Sequence, residues 1–398
     1  MNFSRHARAP ELTAVVKRID DLTPAEESAW LRFQQQSPAF NSPLLGPAFA
    51  KVVSSVRDDV RVAVFKQAFS VVGILAYHAR PQGLARPIGS PFSDYHALLS
   101  GPDPRYEGSH ALAAAGLSTL RFSSLIDPHG LFEEHVTQPV EGMAIQLREG
   151  AESYLEMIRA RSPKRFKNLR RLESKMAREG GPVSFRGPDY DSDAFEQLLT
   201  WKGDQLKRTG LHDFLGPAWT RALLRRLFEA RAGDLQGLLL TLRVDGRVVA
   251  GHFGVRAGPR YHPWIAAYDP DAAAWSPGQV FIHEAIRHMP MLDLTTYDLS
   301  SGHDDYKRPF CSETIMARNG IVRSPNLGGA LGRSADLAWR SVQSCAGPAR
   351  EQTITRIRNR LNQISEIELT WPGRVRGVMQ AIGARKLRTE AHSVREVE

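Results

Sequence analysis

The chain has 398 residues, 42% of them hydrophobic, and 52 Lys+Arg against 43 Asp+Glu give it a formal net charge of +9. That length predicts two or three domains with sizeable cores, and the positive excess favours an anionic partner: a phosphate-bearing cofactor, a lipid-linked sugar phosphate, RNA or a membrane surface. Two cysteines, Cys311 and Cys345, exclude a disulfide framework, no apolar run reaches the roughly 18–20 residues of a membrane span, and the basic N-terminus lacks the apolar stretch of a secretory signal. The expected location is a reducing cytoplasm, with peripheral attachment at the inner membrane as an extension of that reading.

In the first half, Asp59–Phe65 and Phe69–Tyr77 predict a hairpin around Lys66-Gln67. A Gly/Pro-rich loop (PQGLARPIGSPFSDY) leads to a helix from Arg105 to Ala115 and a strand from Ser118 to Leu125. The stretch Arg159–Arg178 carries nine Lys/Arg and one acid, with Phe166, Leu169, Leu172 and Met176 at helical spacing. It predicts one amphipathic helix, docked by its apolar stripe and basic on the other side. Helices follow from Ser192, containing Trp201-Lys202, and from Pro217 to Arg231. Gly237–Arg243, Arg247–Val255 and Tyr261–Tyr268 predict three antiparallel strands, joined by the turns Asp245-Gly246 and Ala257-Gly258-Pro259. Ser276 reads as an N-cap and Pro277 as the first helical residue. Phe281, Ile282, Ala285, Ile286 and Met289 fall on the packed side of that helix, with His283, Glu284, Arg287 and His288 on the wet side.

A strand from Leu294 to Ser300 then places Thr296, Asp298 and Ser300 on one face and Tyr297 and Leu299 on the other. The first half repeats the strand–strand–helix–strand order of the second, which predicts two copies of one α/β unit. The Gly/Pro/Ser-rich stretch Ser324–Arg333 reads as a linker, and an arginine-rich, partly helical tail follows it. The predicted division is 1–150, 151–325 and a tail 326–398.

The helix start at Trp275, Ser276, Pro277, Gly278 and Gln279 offers unpaired backbone N–H groups to a phosphate; the same residues also fit an ordinary capped helix. His303, Asp304, Asp305, Tyr306, Lys307 and Arg308 form a second group beyond the strand. Asp298 or Asp305 is suited to act as base toward an acceptor, with Lys307 and Arg308 binding negative charge; a self-paired polar loop is the plain alternative. Arg165 on the basic helix, with Trp201 and Lys202, completes the candidate substrate residues. No metal site is expected, since His303 with Asp304 and Asp305 has no second ligand group at recognised spacing, and a Cys311–His303 nucleophile pair has little support. The chain lacks a Walker loop, a GxGxxG after a strand, a GxSxG elbow and HExxH, which disfavours common nucleotidases, dehydrogenases, serine hydrolases and zincins.

Taken in order, RFKNLRR, Trp201-Lys202, LTLRVDGRVVAGHFGV, AAYDP, SPGQVFIHEAI and YDLSSGHDDYKRPF resemble the acetyltransferase-like proteins of the CelD type. That group belongs to the GNAT superfamily and is similar in architecture to the tandem-GNAT Fem peptidyltransferases. The resemblance covers Arg159–Val322, and the first half more loosely through GSPFSDYHALL. It implies an α/β (α+β) fold of two tandem GNAT-like domains, each a mostly antiparallel mixed sheet flanked by helices. It also implies direct attack of an acceptor on a thioester, with Tyr261–Tyr268 as the central strand and Trp275–Gln279 as the phosphate loop. The usual loop carries an Arg or Gln followed by two spaced glycines, whereas here only Gly278 is present. The function so implied is an N-acyltransferase using acetyl-CoA or another acyl-CoA on an amino sugar or lipid-linked glycan precursor of a surface or exopolysaccharide. Two alternatives stand beside it: a Fem-like transferase taking its acyl group from aminoacyl-tRNA, and a cyclic di-GMP-binding regulator whose tail arginines (Arg385/Arg388 or Arg356/Arg360) clamp the phosphates.

Overall fold

The structure, a computed structural model, describes residues 11–301, 307–345, 358 and 360–379. The chain divides into two units, one formed by residues 1–140 and 316–355, the other by 141–315 and 356–398.

The first unit opens with β1 (Leu12–Lys17) and helices α1 (Pro24–Gln36) and α2 (Pro47–Ser54). A capping box fixes the start of α1: the Thr23 hydroxyl accepts from the Glu26 N–H and the Glu26 carboxylate accepts from the Thr23 N–H. Strands β2 (Val60–Gln67), β3 (Ser70–Arg80), β4 (Leu84–Pro87) and β5 (Leu98–Ser100) follow, then α3 (Gly108–Ala114) and β6 (Thr119–Leu125). The hairpin turns at Ala68-Phe69, two residues beyond the predicted position, because Ala68 takes a left-handed φ of 52°. The sheet runs β1-β2-β3-β4-β6 and is completed by Glu313–Arg323, antiparallel to β6 with Val322 opposite Leu120. β4 and β6 are parallel neighbours, with Leu84 opposite Thr119 and Ala85 opposite Leu120. Phe65, Leu75, Leu120, Phe122 and Phe132 fill one core of this unit.

The second unit contains the part of β7 (Val136–Gln146) from Glu141 on, α4 (Ala151–Arg161), α5 (Pro163–Gly180), β8 (Val183–Arg186), α6 (Ser192–Arg208) and α7 (Ala218–Glu229). Then come β9 (Gln236–Val244), β10 (Arg247–Ala257), β11 (Arg260–Tyr268), α8 (Pro277–His288) and β12 (Thr296–Ser301). The predicted single basic helix is therefore two. Ser162 leaves helical geometry (φ −145°, ψ 69°) ahead of Pro163, as expected where a proline disfavours the α conformation of its predecessor. The sheet order is β8-β9-β10-β11-β12-β7. All its neighbours are antiparallel except β11 and β12. Leu240, Leu242, Tyr261, Phe281, Ile286 and Tyr297 are among the residues of its core. At about 2 kcal/mol for each large apolar side chain removed from water, this burial is what fixes α8 against the sheet.

The order strand, two helices, three strands, helix, strand is thus present twice, as β1 to β6 and as β8 to β12, with one parallel junction in each copy; β5 is an additional short strand in the first. Beyond Arg323, the residues predicted as a linker mostly enter a helix, Leu327–Cys345. Residues 360–367 and 371–379 are helical and pack on the second unit, where the Trp219 indole N–H donates to the Ile367 carbonyl at 3.0 Å. Among the described residues, no helix is long and apolar enough to cross a membrane.

Candidate active site

The second unit holds a fork in its sheet. β11 and β12 pair only at Arg260 with Thr296 and Tyr261 with Tyr297. β11 continues along β10 as far as Tyr268 opposite Ala250, and β12 continues along β7 as far as Ser301 opposite Gly142. Past Tyr261 and Tyr297 no ladder joins the facing edges of these two parallel strands. An extended guest can lie along such an edge and hydrogen-bond to its backbone.

The first residue beyond the last pair on each strand is His262 and Asp298. Their side chains meet across the apex, with Nδ1 and Oδ2 3.3 Å apart and exposures of 0% and 9%. Asp298 also accepts the Ser300 N–H at 2.8 Å, which holds its carboxylate in place. On the opposite face the Tyr297 hydroxyl lies 2.6 Å from His252 Nδ1, and the Tyr261 ring packs edge-on against Tyr297. His252 also packs against Phe281 of α8, with ring centroids 4.2 Å apart. Burial pushes the His252 imidazole down to about 3, and the charges of Lys307 and Lys202 add to the effect. This histidine is neutral at ordinary pH, and both predicted lysines act on one spot. The Lys307 ammonium also lies 3.5 Å from the Leu299 carbonyl, and that of Lys202 lies 3.2 Å from Gln205 Oε1.

The start of α8 departs from the expected cap. Ser276 occupies the N-cap position in the left-handed region (φ 52°, ψ 53°), and its side chain makes no capping bond. Pro277 brings no N–H, and the Gln279 N–H turns back onto the Ser276 carbonyl at 3.0 Å. A Cβ added at Gly278 would meet nothing within 4 Å, so the corner opens onto empty space. With the helix dipole behind it and no acid in the first turn, this corner suits an anion. Lys175 of α5, absent from the sequence candidates, donates to the Ala274 carbonyl beside it at 3.1 Å. Trp275 is turned to α5 as well, where its indole N–H donates to Glu179 at 3.1 Å. These features fit the phosphates of a coenzyme A.

The remaining candidates scatter. Arg165 is exposed on α5, Trp201 is half-buried on α6 and Arg308 is exposed; His303, Asp305 and Tyr306 lie outside the described residues. His283 is not on the wet side: it is fully buried, bonded through Nδ1 to Glu173 of α5 and packed edge-on against Phe166. Ligand atoms of Glu173, His283 and Glu284 lie within 4.8 Å of one another, close enough to hold an ion, but the His283–Glu173 bond already ties α5 to α8. Cys311 offers no nucleophile, because burial pushes its thiol up to about 11 and its Sγ faces the Lys307 carbonyl. Of the tail arginines, Arg360 donates to the Gly210 carbonyl at 3.0 Å, and Arg356, Arg385 and Arg388 lie outside the described residues. Sequence reasoning picked out Asp298 but not His262. The signal lay in the matching positions of two strands, which only the register reveals.

The first unit has a fork of the same kind, and it is filled. β4 and β5 lie end to end along β3, and residues 88–97 leave the line between them. Ile88, Phe92, Tyr95 and His96 of this insert are buried. His96 bridges to Leu125 of β6, and its carbonyl accepts the Ile126 N–H at 2.8 Å. The helix start is closed too. The Gly108 N–H donates to the Leu131 carbonyl at 2.8 Å, a Cβ at Gly108 would run into the Phe132 ring, and the N-cap residue is the acid Glu107.

Residues 163–308 match the family described as acetyltransferase (GNAT) domain. No curated protein matches the chain in sequence. Among solved structures, the chain is similar to the C-terminal domain of a protein described as a lysylphosphatidylglycerol synthetase from Agrobacterium fabrum. That likeness has 13% identity and a TM-score of 0.45, over 78% of this chain and 96% of that one. A tandem GNAT protein from the clavulanic acid biosynthesis pathway gives 12%, 0.46, 79% and 99% in the same order. FemX gives 11%, 0.49, 77% and 96%. Over residues 163–308, the chain therefore carries an acetyltransferase domain of the GNAT type, and its chemistry is acyl transfer.

Proposed function

We propose that the second unit is an N-acyltransferase that takes acetyl-CoA, or another acyl-CoA, at the β11–β12 fork and delivers the acyl group to an amine of an amino sugar or lipid-linked glycan precursor. The observation that carries this reading is the coincidence of two features in one unit, the end of the β11–β12 ladder past Tyr261 and Tyr297 and the bare helix corner at Gly278. The β11 edge would hold the pantetheine arm, and the start of α8 with Lys175 would hold the pyrophosphate. The acceptor nitrogen attacks the thioester carbonyl, a β11 N–H polarises the carbonyl oxygen, and the carbon–sulfur bond breaks to release coenzyme A. His262, paired with Asp298, takes the proton from the nitrogen. The sugar class rests on the resemblance to CelD-type proteins. Incubation with acetyl-CoA and a panel of amino sugars, read by thiol release and by calorimetry of coenzyme A binding, tests it. Absence of both thiol release and coenzyme A binding would overturn it.

A second donor has one observation in its favour. Lys164, Arg165, Lys167 and Arg170 of α5 are exposed and have no ion-pair partner among the described residues, a surface on which an aminoacyl-tRNA backbone would fit. Binding of tRNA with a steep salt slope, together with no affinity for coenzyme A, would select that donor.

A further inference from the structure

Residues 371–379 form a helix whose amphipathic order is reversed. The side turned to the protein carries glycines: a Cβ at Gly377 would meet Ile364 at 2.9 Å and His212 at 3.1 Å, and one at Gly373 would run into Glu368. Such close approach fixes which side faces in. The side turned outward carries Trp371, Val375 and Met379, at one-turn spacing and 77%, 58% and 65% exposed. The preceding helix is anchored where Trp219 donates to the Ile367 carbonyl, and Arg374 Nε ties 371–379 to it by donating to the Glu368 carbonyl at 3.1 Å. Water does not select large apolar groups on the outer face of an anchored helix, so the stripe is shaped for something else.

We infer that this stripe docks the protein onto an anionic membrane surface, with Trp371, Val375 and Met379 entering the headgroup–acyl boundary. Charge decides the occupant. Arg374 and Arg376 flank the stripe, the Arg374 guanidinium lies 5.6 Å from the centre of the Trp371 ring, and Leu369–Met379 contains no acid. An aromatic anchor beside arginines, on a chain of net charge +9, matches an interfacial helix on anionic lipid. The inference does not depend on the identity of the acyl donor or acceptor.

Co-sedimentation of the full chain tests it, using vesicles of phosphatidylcholine alone and of phosphatidylcholine mixed with phosphatidylglycerol. The chain should pellet with the anionic vesicles only, and less as salt rises. Trp371→Ser with Val375→Ser should weaken binding by at least about tenfold, with the melting temperature and coenzyme A binding unchanged. Arg376→Gln, which leaves the Arg374 bond to the Glu368 carbonyl in place, should weaken it less than the Trp371/Val375 pair does. Three results would overturn the inference: wild-type protein staying in solution with both vesicles, the Trp371/Val375 variant pelleting as well as wild type, or sedimentation velocity without lipid showing a wild-type dimer that the variant dissolves.

Discussion

The two units repeat one order of elements, yet their equivalent positions differ in a consistent way. After the last parallel pair, the second unit places His262 and Asp298, an imidazole and a carboxylate in contact. The first unit has Arg86 and Arg121 at the same positions, two cations. Where the second unit's helix begins at an open glycine, the first begins at a glycine packed on Phe132 behind an acid. The insert 88–97 buries its own aromatics in one fork, while β11 continues along the other with a bulge opposite Phe253-Gly254. A duplicated framework can thus keep its sheet while changing the groups at its fork, since the sheet needs only the backbone ladder.

The largest effect is expected at the fork apex. Asp298→Asn should lower kcat by about 10²–10⁴-fold with little change in the KM for acyl-CoA, whereas Arg121→Ala should leave turnover unchanged. Equal losses from both, measured by thiol release, would break the contrast. Next comes the helix corner. Gly278→Asp puts a negative charge where phosphate is proposed to sit and should weaken acyl-CoA binding by about tenfold or more. Glu107→Gln in the first unit should not alter it by calorimetry.

Acid stability distinguishes the units less sharply. Burial holds His78 at about 4 and His96 at about 3, both in the first unit, and His252 at about 3 in the second. A lowered histidine pKa means that the unfolded chain binds protons which the folded state refuses. Stability should therefore be fully present above pH 6.5 and fall as pH drops from 6.5 toward about 3. His96→Leu should flatten part of that slope, by roughly 1–3 kcal/mol between neutral and acid melts. The smallest effect is Lys175→Met, which should raise the KM for acyl-CoA by about threefold through loss of one cation near the phosphates.

Legibility in the sequence followed the strength of local pattern. β9, β10, β11 and α8 were readable because glycine turns bound regular apolar runs, as at Asp245-Gly246 (φ 48° and 77°). β1 was not, because an edge strand with exposed Val15 and Val16 lacks the apolar alternation that marks a half-buried one. The break at Ser162 was written in Pro163 but masked by a basic run that continues across it. GSPFSDYHALL stood out as a motif, yet its role as filling depends on which strands it falls between. His262 and Asp298 are far apart in sequence, and nothing local in either announces the other. Lys175 looked like one more cation on a basic helix until its carbonyl partner was known.

The first unit's sheet is completed by Glu313–Arg323, long after its other strands have been made. A ribosome adding roughly 5–20 residues per second leaves the outer edge of β6 without its neighbour for on the order of ten seconds. For that interval the nascent chain offers an unpaired row of amides and carbonyls to any strand nearby. A polypeptide ending before Glu313 should keep that edge permanently and precipitate, so nonsense and frameshift lesions ahead of the Glu313 codon would strike a unit whose other strands had already been synthesised.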